Sequence, residues 1–172
     1  MVGDLTEKVQ ASQRKLEELA GRLPGFGGYK RKEQRREADK LLRMHVARKG
    51  QDLLGRINEV QEELSREGKL RLLMVLERAM TKLQLFIDRL KTASYGYAGV
   101  FDALKVDEDV LDRLYTFDQD MLQGMEEVGG LIDELEQLEG SDEDMNELAE
   151  QLVNKLVDLN NTFSQRQDVI LE

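Results

Sequence analysis

The sequence has no cysteine, no tryptophan, one proline and one histidine among its 172 residues. Without cysteine there can be no disulfide, thiol nucleophile, iron–sulfur cluster or thiolate zinc site. A reducing compartment suits such a chain, and the cytoplasm is the expected location. The lone histidine, His45, also excludes a carboxylate-bridged di-iron bundle, which draws a Glu-x-x-His pair from each of two helices. The residue three before His45 is Leu42, not an acid. No metal and no cofactor are expected.

Long apolar runs are missing too. The longest is Leu72 to Leu76, far short of the roughly 18 residues of a membrane span. The N-terminus lacks the charged, apolar and small-residue succession of a signal peptide, so a soluble protein is expected. Aromatic residues make up 5% and charged residues 35% of the chain, which favours long helices with wet outer faces over a sandwich or barrel.

What the sequence does have is charge, distributed unevenly. Residues 1–100 carry 21 basic and 14 acidic side chains, a balance of +7, whereas residues 101–172 carry 4 and 21, a balance of −17. The basic excess lies in Lys30, Arg31, Lys32, Arg35, Arg36, Lys40, Arg43, Arg48 and Lys49, set against Glu33, Glu37 and Asp39. Between Asp102 and Glu150 stand 18 acids with only Lys105 and Arg113. Such polarity implies an anionic partner for the basic stretch, or a match with the acidic half within the chain or between copies of it.

Apolar residues recur at helical spacing almost throughout. Asp4-Leu5-Thr6-Glu7 resembles a capped helix start, and Val9, Ser12, Leu16, Leu19 and Leu23 follow at alternating four- and three-residue steps. Pro24 to Gly28 breaks the pattern. A second helix carries Ala38, Leu42 and His45, then, after a phase change, Leu53, Ile57, Val60 and Leu64. Gly50 and Gly55 each cost it roughly 1 kcal/mol relative to Ala, and a bend or break is expected between them. Leu70 to Leu90 is apolar on more than one side and should be the most buried helix.

Tyr95, Tyr97 and Phe101, interleaved with Gly96 and Gly99, interrupt the pattern. Leu111, Leu114, Asp118, Met121, Met125, Val128, Ile132 and Leu135 then keep heptad spacing, with Asp118 the one charge on the seam. Ser141 and Asp144 form a capping-box variant that opens a last helix with Met145, Leu148, Leu152, Leu156, Leu159 and Phe163 on one stripe. Nothing alternates like a strand. The expected fold is all-α: one domain over 1–172, an elongated antiparallel bundle of four to five helices with coiled-coil-like heptad packing. The helices fall near 4–23, 29–65, 69–94, 107–139 and 141–165, with loops at 24–28 and 95–106.

No combination of residues proposes catalysis. His45 follows Ala38 and Leu42 on a seam and reads as a partly buried structural residue. Asp118 either reaches water as its seam drifts or pairs with a base such as Arg35, Arg43 or His45, because an isolated buried carboxylate is costly. Asp142 to Asp144 and Asp118 to Asp120 lack the glycine and glutamate spacing of a calcium loop. The candidate partner-binding residues are therefore Arg35, Arg36, Lys40 and Arg43 on the basic helix and Tyr95, Tyr97 and Phe101 at the aromatic corner. The expected function is non-enzymatic: a protein–protein interaction or scaffold module, with itself as a partner. The alternative is an adaptor that lays the basic helix on nucleic acid or an anionic membrane surface. Against it stand a pI near 4.8 and the acidic second half, which would repel the same polyanion.

Overall fold

The computed structural model describes residues 29–93, 108–138 and 140–171, and each regular element among them is a helix. We label these α1, Tyr29–Glu67; α2, Leu70–Thr92; α3, Glu108–Gln137; and α4, Asp142–Leu171. The expected helix over 4–23 and the loops over 24–28 and 95–106 lie outside the described residues. The chain divides into two compact units, Met1–Leu42 and Arg43–Glu172. The described residues of the first unit are the opening turns of α1. The second holds the rest of α1 and the other three helices.

Local chemistry sets the turns of the second unit. α1 ends in a Schellman motif: Gly68 N donates to Ser65 O at 3.2 Å and Lys69 N to Leu64 O at 3.0 Å. This closure needs a left-handed residue at Gly68, whose φ is +75°, and glycine adopts it without Cβ strain. At the other hairpin, Asp144 N donates to Ser141 Oγ and Ser141 N to Asp144 Oδ2, each at 3.2 Å. This is the reciprocal cap expected from the sequence. Asp142, Glu143 and Asp144 all lie in the first turn of α4, where negative charge meets the positive helix end.

The expected bend in α1 does not occur; the helix is uninterrupted from Tyr29 to Glu67. The reason is tertiary. A Cβ at Gly50 would lie 2.8 Å from Ile87 Cγ1, so glycine lets α1 and α2 approach closely, and that packing offsets its poor helix propensity. Gly124 plays the same part between α3 and α4, where a Cβ would lie 2.5 Å from Leu159 Cδ2.

Contacts along the helices give their directions. Gly50 with Ile87 and Gln61 with Leu73 make α1 and α2 antiparallel, and Gly124 with Leu159 and Asp118 with Arg166 do the same for α3 and α4. Lys49 with Glu126 and Arg56 with Asp133 run α1 parallel to α3. Arg78 with Glu150 and Arg89 with Ser164 run α2 parallel to α4. Two antiparallel hairpins thus lie side by side as a four-helix bundle. Its core buries the seam residues Met121, Met125, Val128, Ile132 and Leu135 of α3 and the whole stripe from Met145 to Phe163 of α4. α2 buries Leu72, Val75, Leu76, Ala79, Leu83, Phe86, Ile87 and Leu90.

Candidate functional site

Both apolar seams of the α3–α4 hairpin carry a charge, and the fold brings the two together. Phe163 is followed three residues later by Arg166, which takes the next inward position and is 2% exposed. Antiparallel packing that sets Met121 level with Phe163 sets Asp118 level with Arg166, and Arg166 Nε donates to Asp118 Oδ1 at 2.7 Å. Asp118 is partly shielded, its side chain 19% exposed. This partner comes from α4. Continuing the α4 stripe by one heptad step identifies Arg166 from sequence; ending the stripe at Phe163 hides it.

A second polar cluster joins α2 to α4 nearby in sequence. Asn160, 7% exposed, donates through Nδ2 to the carbonyls of Lys82 at 3.0 Å and Leu156 at 2.9 Å. Arg89 donates to Asn160 O at 2.8 Å and to Ser164 Oγ at 2.7 Å. Its guanidinium carbon lies 5.0 Å from the centroid of the Phe163 ring, which packs edge-on against Phe86. Every hydrogen bond of this cluster joins protein groups to one another, so it is internal packing rather than an open site.

The expected site residues separate. Tyr95, Tyr97 and Phe101 lie outside the described residues, and so do the side chains of Arg35 and Arg36. Lys40 is exposed. Arg43, expected at a partner surface, is 3% exposed and donates through Nη1 to Leu90 O at 2.8 Å; it lies in the buried run with Leu42, Val46 and Ala47, so α2 takes it up. His45, expected on the buried seam, is exposed. The inward positions here are Leu42, Arg43, Val46 and Ala47, which turn residue 45 away. His45 is at the surface, while Asp118 accepts from Arg166.

From Lys49 onward several opposite charges of the two halves pair within the chain. Lys49 bonds Glu126, and Arg56 holds Glu136 through Nε at 2.9 Å and Nη2 at 2.5 Å, and Asp133 at 2.5 Å. Those two carboxylates raise the Arg56 pKa above its ordinary value. Between α3 and α4, Lys155 bonds Glu127 and holds that carboxyl below its usual value. Among the described residues no such partner stands against Lys40, Arg48, Asp120 or Asp158, all of them exposed.

Asp120 and Asp158 stand on opposite walls of a shallow groove of about 200 Å³ between α3 and α4. Gly124 and Leu159 line it between those walls, beside Glu127 and Lys155. Among the described residues no group of His, Asp and Glu could hold a metal ion, and no helix is long and apolar enough to cross a membrane. No protein-family model, curated protein or solved structure matches the chain.

Proposed function

We propose that this chain is a non-enzymatic helical-bundle module that acts through protein–protein contact, with a second copy of itself as partner. The observation that carries this reading is charge left exposed on α1 beside charge that the bundle matches. Lys49 and Arg56 of α1 are neutralised by α3, whereas Lys40 and Arg48, on the same helix, are exposed and without such a partner among the described residues. Met44, four residues before Arg48, is 43% exposed, so this turn of α1 sets a cation beside a flexible apolar side chain suited to a protein surface. The acidic excess of α3 and α4 is left partly unmatched in the same way, and surpluses of opposite sign on separate faces of one chain favour association between copies.

The finer architecture belongs to the same reading. α3 and α4 pack through heptad seams in coiled-coil fashion, and residues 4–23 add a fifth helix whose seam runs from Val9 to Leu23. The module works in the cytoplasm, in keeping with its lack of cysteine.

Sedimentation velocity of the full chain over a concentration and salt series tests this function. Association that weakens as salt rises is expected, because exposed charge pairs are screened beyond about 10 Å at 0.1 M. A monomer insensitive to salt at every concentration would falsify the reading.

A further inference from the structure

We propose that the polar layer of Arg89, Asn160 and Ser164 between α2 and α4 selects the helix arrangement of this bundle, excluding the reverse topology that the apolar stripes would equally accept. Two hairpins can be laid together with either hand. In the hand observed, α1 stands beside α3 and α2 beside α4, each pair parallel. In the other, α2 stands beside α3 and α1 beside α4, and every neighbouring pair is antiparallel.

Apolar burial does not choose between the two, because it is non-directional. The α3 seam of Met121, Met125, Val128, Ile132 and Leu135 has two flanks of like chemistry, and either can meet a neighbour. Nor does the connection choose. The 14 residues between Ala93 and Glu108 reach up to about 45 Å when extended, enough for an adjacent or a diagonal crossing. Helix dipoles lean the other way, since the observed hand sets like helix ends side by side. A directional contact between α2 and α4 must offset that preference.

The layer supplies one. Asn160, 7% exposed, donates to the Lys82 carbonyl of α2 at 3.0 Å, and Arg89 of α2 donates to Asn160 O at 2.8 Å and Ser164 Oγ at 2.7 Å. In the reverse topology α4 leaves α2, so Arg89 loses these acceptors and Asn160 loses the Lys82 carbonyl. A buried polar group stripped of its partner costs more than an exposed ion pair, and one polar residue on a helical seam fixes register and partner in this way. Lys49 with Glu126 and Arg78 with Glu150 favour the same hand, but their side chains are 29–59% exposed and salt screens them.

Distances between spin labels supply the test. The chain has no cysteine, so Thr81→Cys with Asn154→Cys labels α2 and α4, and Thr81→Cys with Glu134→Cys labels α2 and α3, all at exposed positions. Labelled full-length chain is diluted into an excess of unlabelled chain, so that the distances are those within one molecule. In the parent the α2–α4 distance is expected to be single and shorter than the α2–α3 distance, and to stay so at about 1 M salt, where screening acts over about 3 Å. Asn160→Leu with Arg89→Leu keeps the site apolar and filled, and is expected to add a second population in which the order of the two distances reverses, growing as salt rises. Asn160→Ala, a milder change, should shift the distances the same way and keeps the test open should the double variant fail to fold. Folded variants that retain the single parental distances at both salt concentrations overturn the proposal, leaving selection to packing and turns. A parent whose own distances reverse at 1 M salt overturns it in favour of the exposed ion pairs. Loss of helical circular dichroism in both variants also overturns it, making the layer a requirement for folding and not a choice between arrangements.

Discussion

Replacing Gly124 by alanine tests the α3–α4 packing quantitatively. In an open helix position, glycine to alanine stabilises by about 1 kcal/mol. At 124 the added Cβ would lie 2.5 Å from Leu159 Cδ2 and 3.1 Å from Cγ, against an ordinary carbon contact of about 3.5–4.0 Å. Leu159 must therefore retreat by roughly 1 Å. It is 2% exposed, with core on its other side, and overpacking of this kind costs about 1–3 kcal/mol. The net expectation is a variant between neutral and about 2 kcal/mol less stable. Gly55, exposed with nothing within 4 Å of its Cβ position, is the control; Gly55→Ala should stabilise by about 1 kcal/mol. Urea unfolding followed by circular dichroism separates the two, the gap of about 1–3 kcal/mol appearing as a midpoint difference on the order of 1 M. In a Leu159→Ala background the clash is gone, and Gly124→Ala should become favourable. Equal stabilisation by Gly124→Ala and Gly55→Ala in the parent chain would refute the close approach.

Three further outcomes follow from the same contacts. Asp118→Asn leaves the buried Arg166 without its carboxylate and should destabilise by roughly 3 kcal/mol, whereas replacing both, Asp118→Leu with Arg166→Met, should cost much less; equal losses in a denaturant series would show that the pair is not the unit. Because Lys155 holds the Glu127 pKa below its unfolded value, the stabilisation from that carboxylate is complete above the unfolded value and fades as pH falls through the folded one. Lys155→Ala should move the Glu127 titration upward in a carboxyl NMR experiment, and an unchanged curve would assign the shift to another cause. Gly68→Ala forces a Cβ into the left-handed region and should cost about 1 kcal/mol in thermal unfolding; an unchanged melting temperature would mean that the turn has another way to close.

Much of the fold was legible in the order of residues. The seams of α3 and α4 could be read because heptad spacing and inward orientation are the same fact in a helix. Ser141 and Asp144 marked the start of α4 because capping is local chemistry completed within four residues. The partner of Asp118 was harder to see. It stands 48 residues away, and it becomes visible only when two stripes are aligned antiparallel and the α4 stripe is carried one step past its last apolar member. Arg43 and His45 were misplaced for a related reason: periodicity gives a helix two flanks, and which flank meets a neighbour depends on where that neighbour lies.

By itself, the sequence determined that this is a helical chain with apolar stripes at helical spacing, reciprocal caps, and opposite charge in its two halves, because each of these depends on residues within a turn or two or on bare composition. Only the tertiary structure decided that Gly50 and Gly124 are contacts rather than breaks, that Arg43 and Arg166 turn inward, and that Lys49 and Arg56 meet carboxylates of α3. Those outcomes are set by the helix that arrives opposite, from tens of residues away, and by whether it leaves room for a side chain or supplies an atom to hold one.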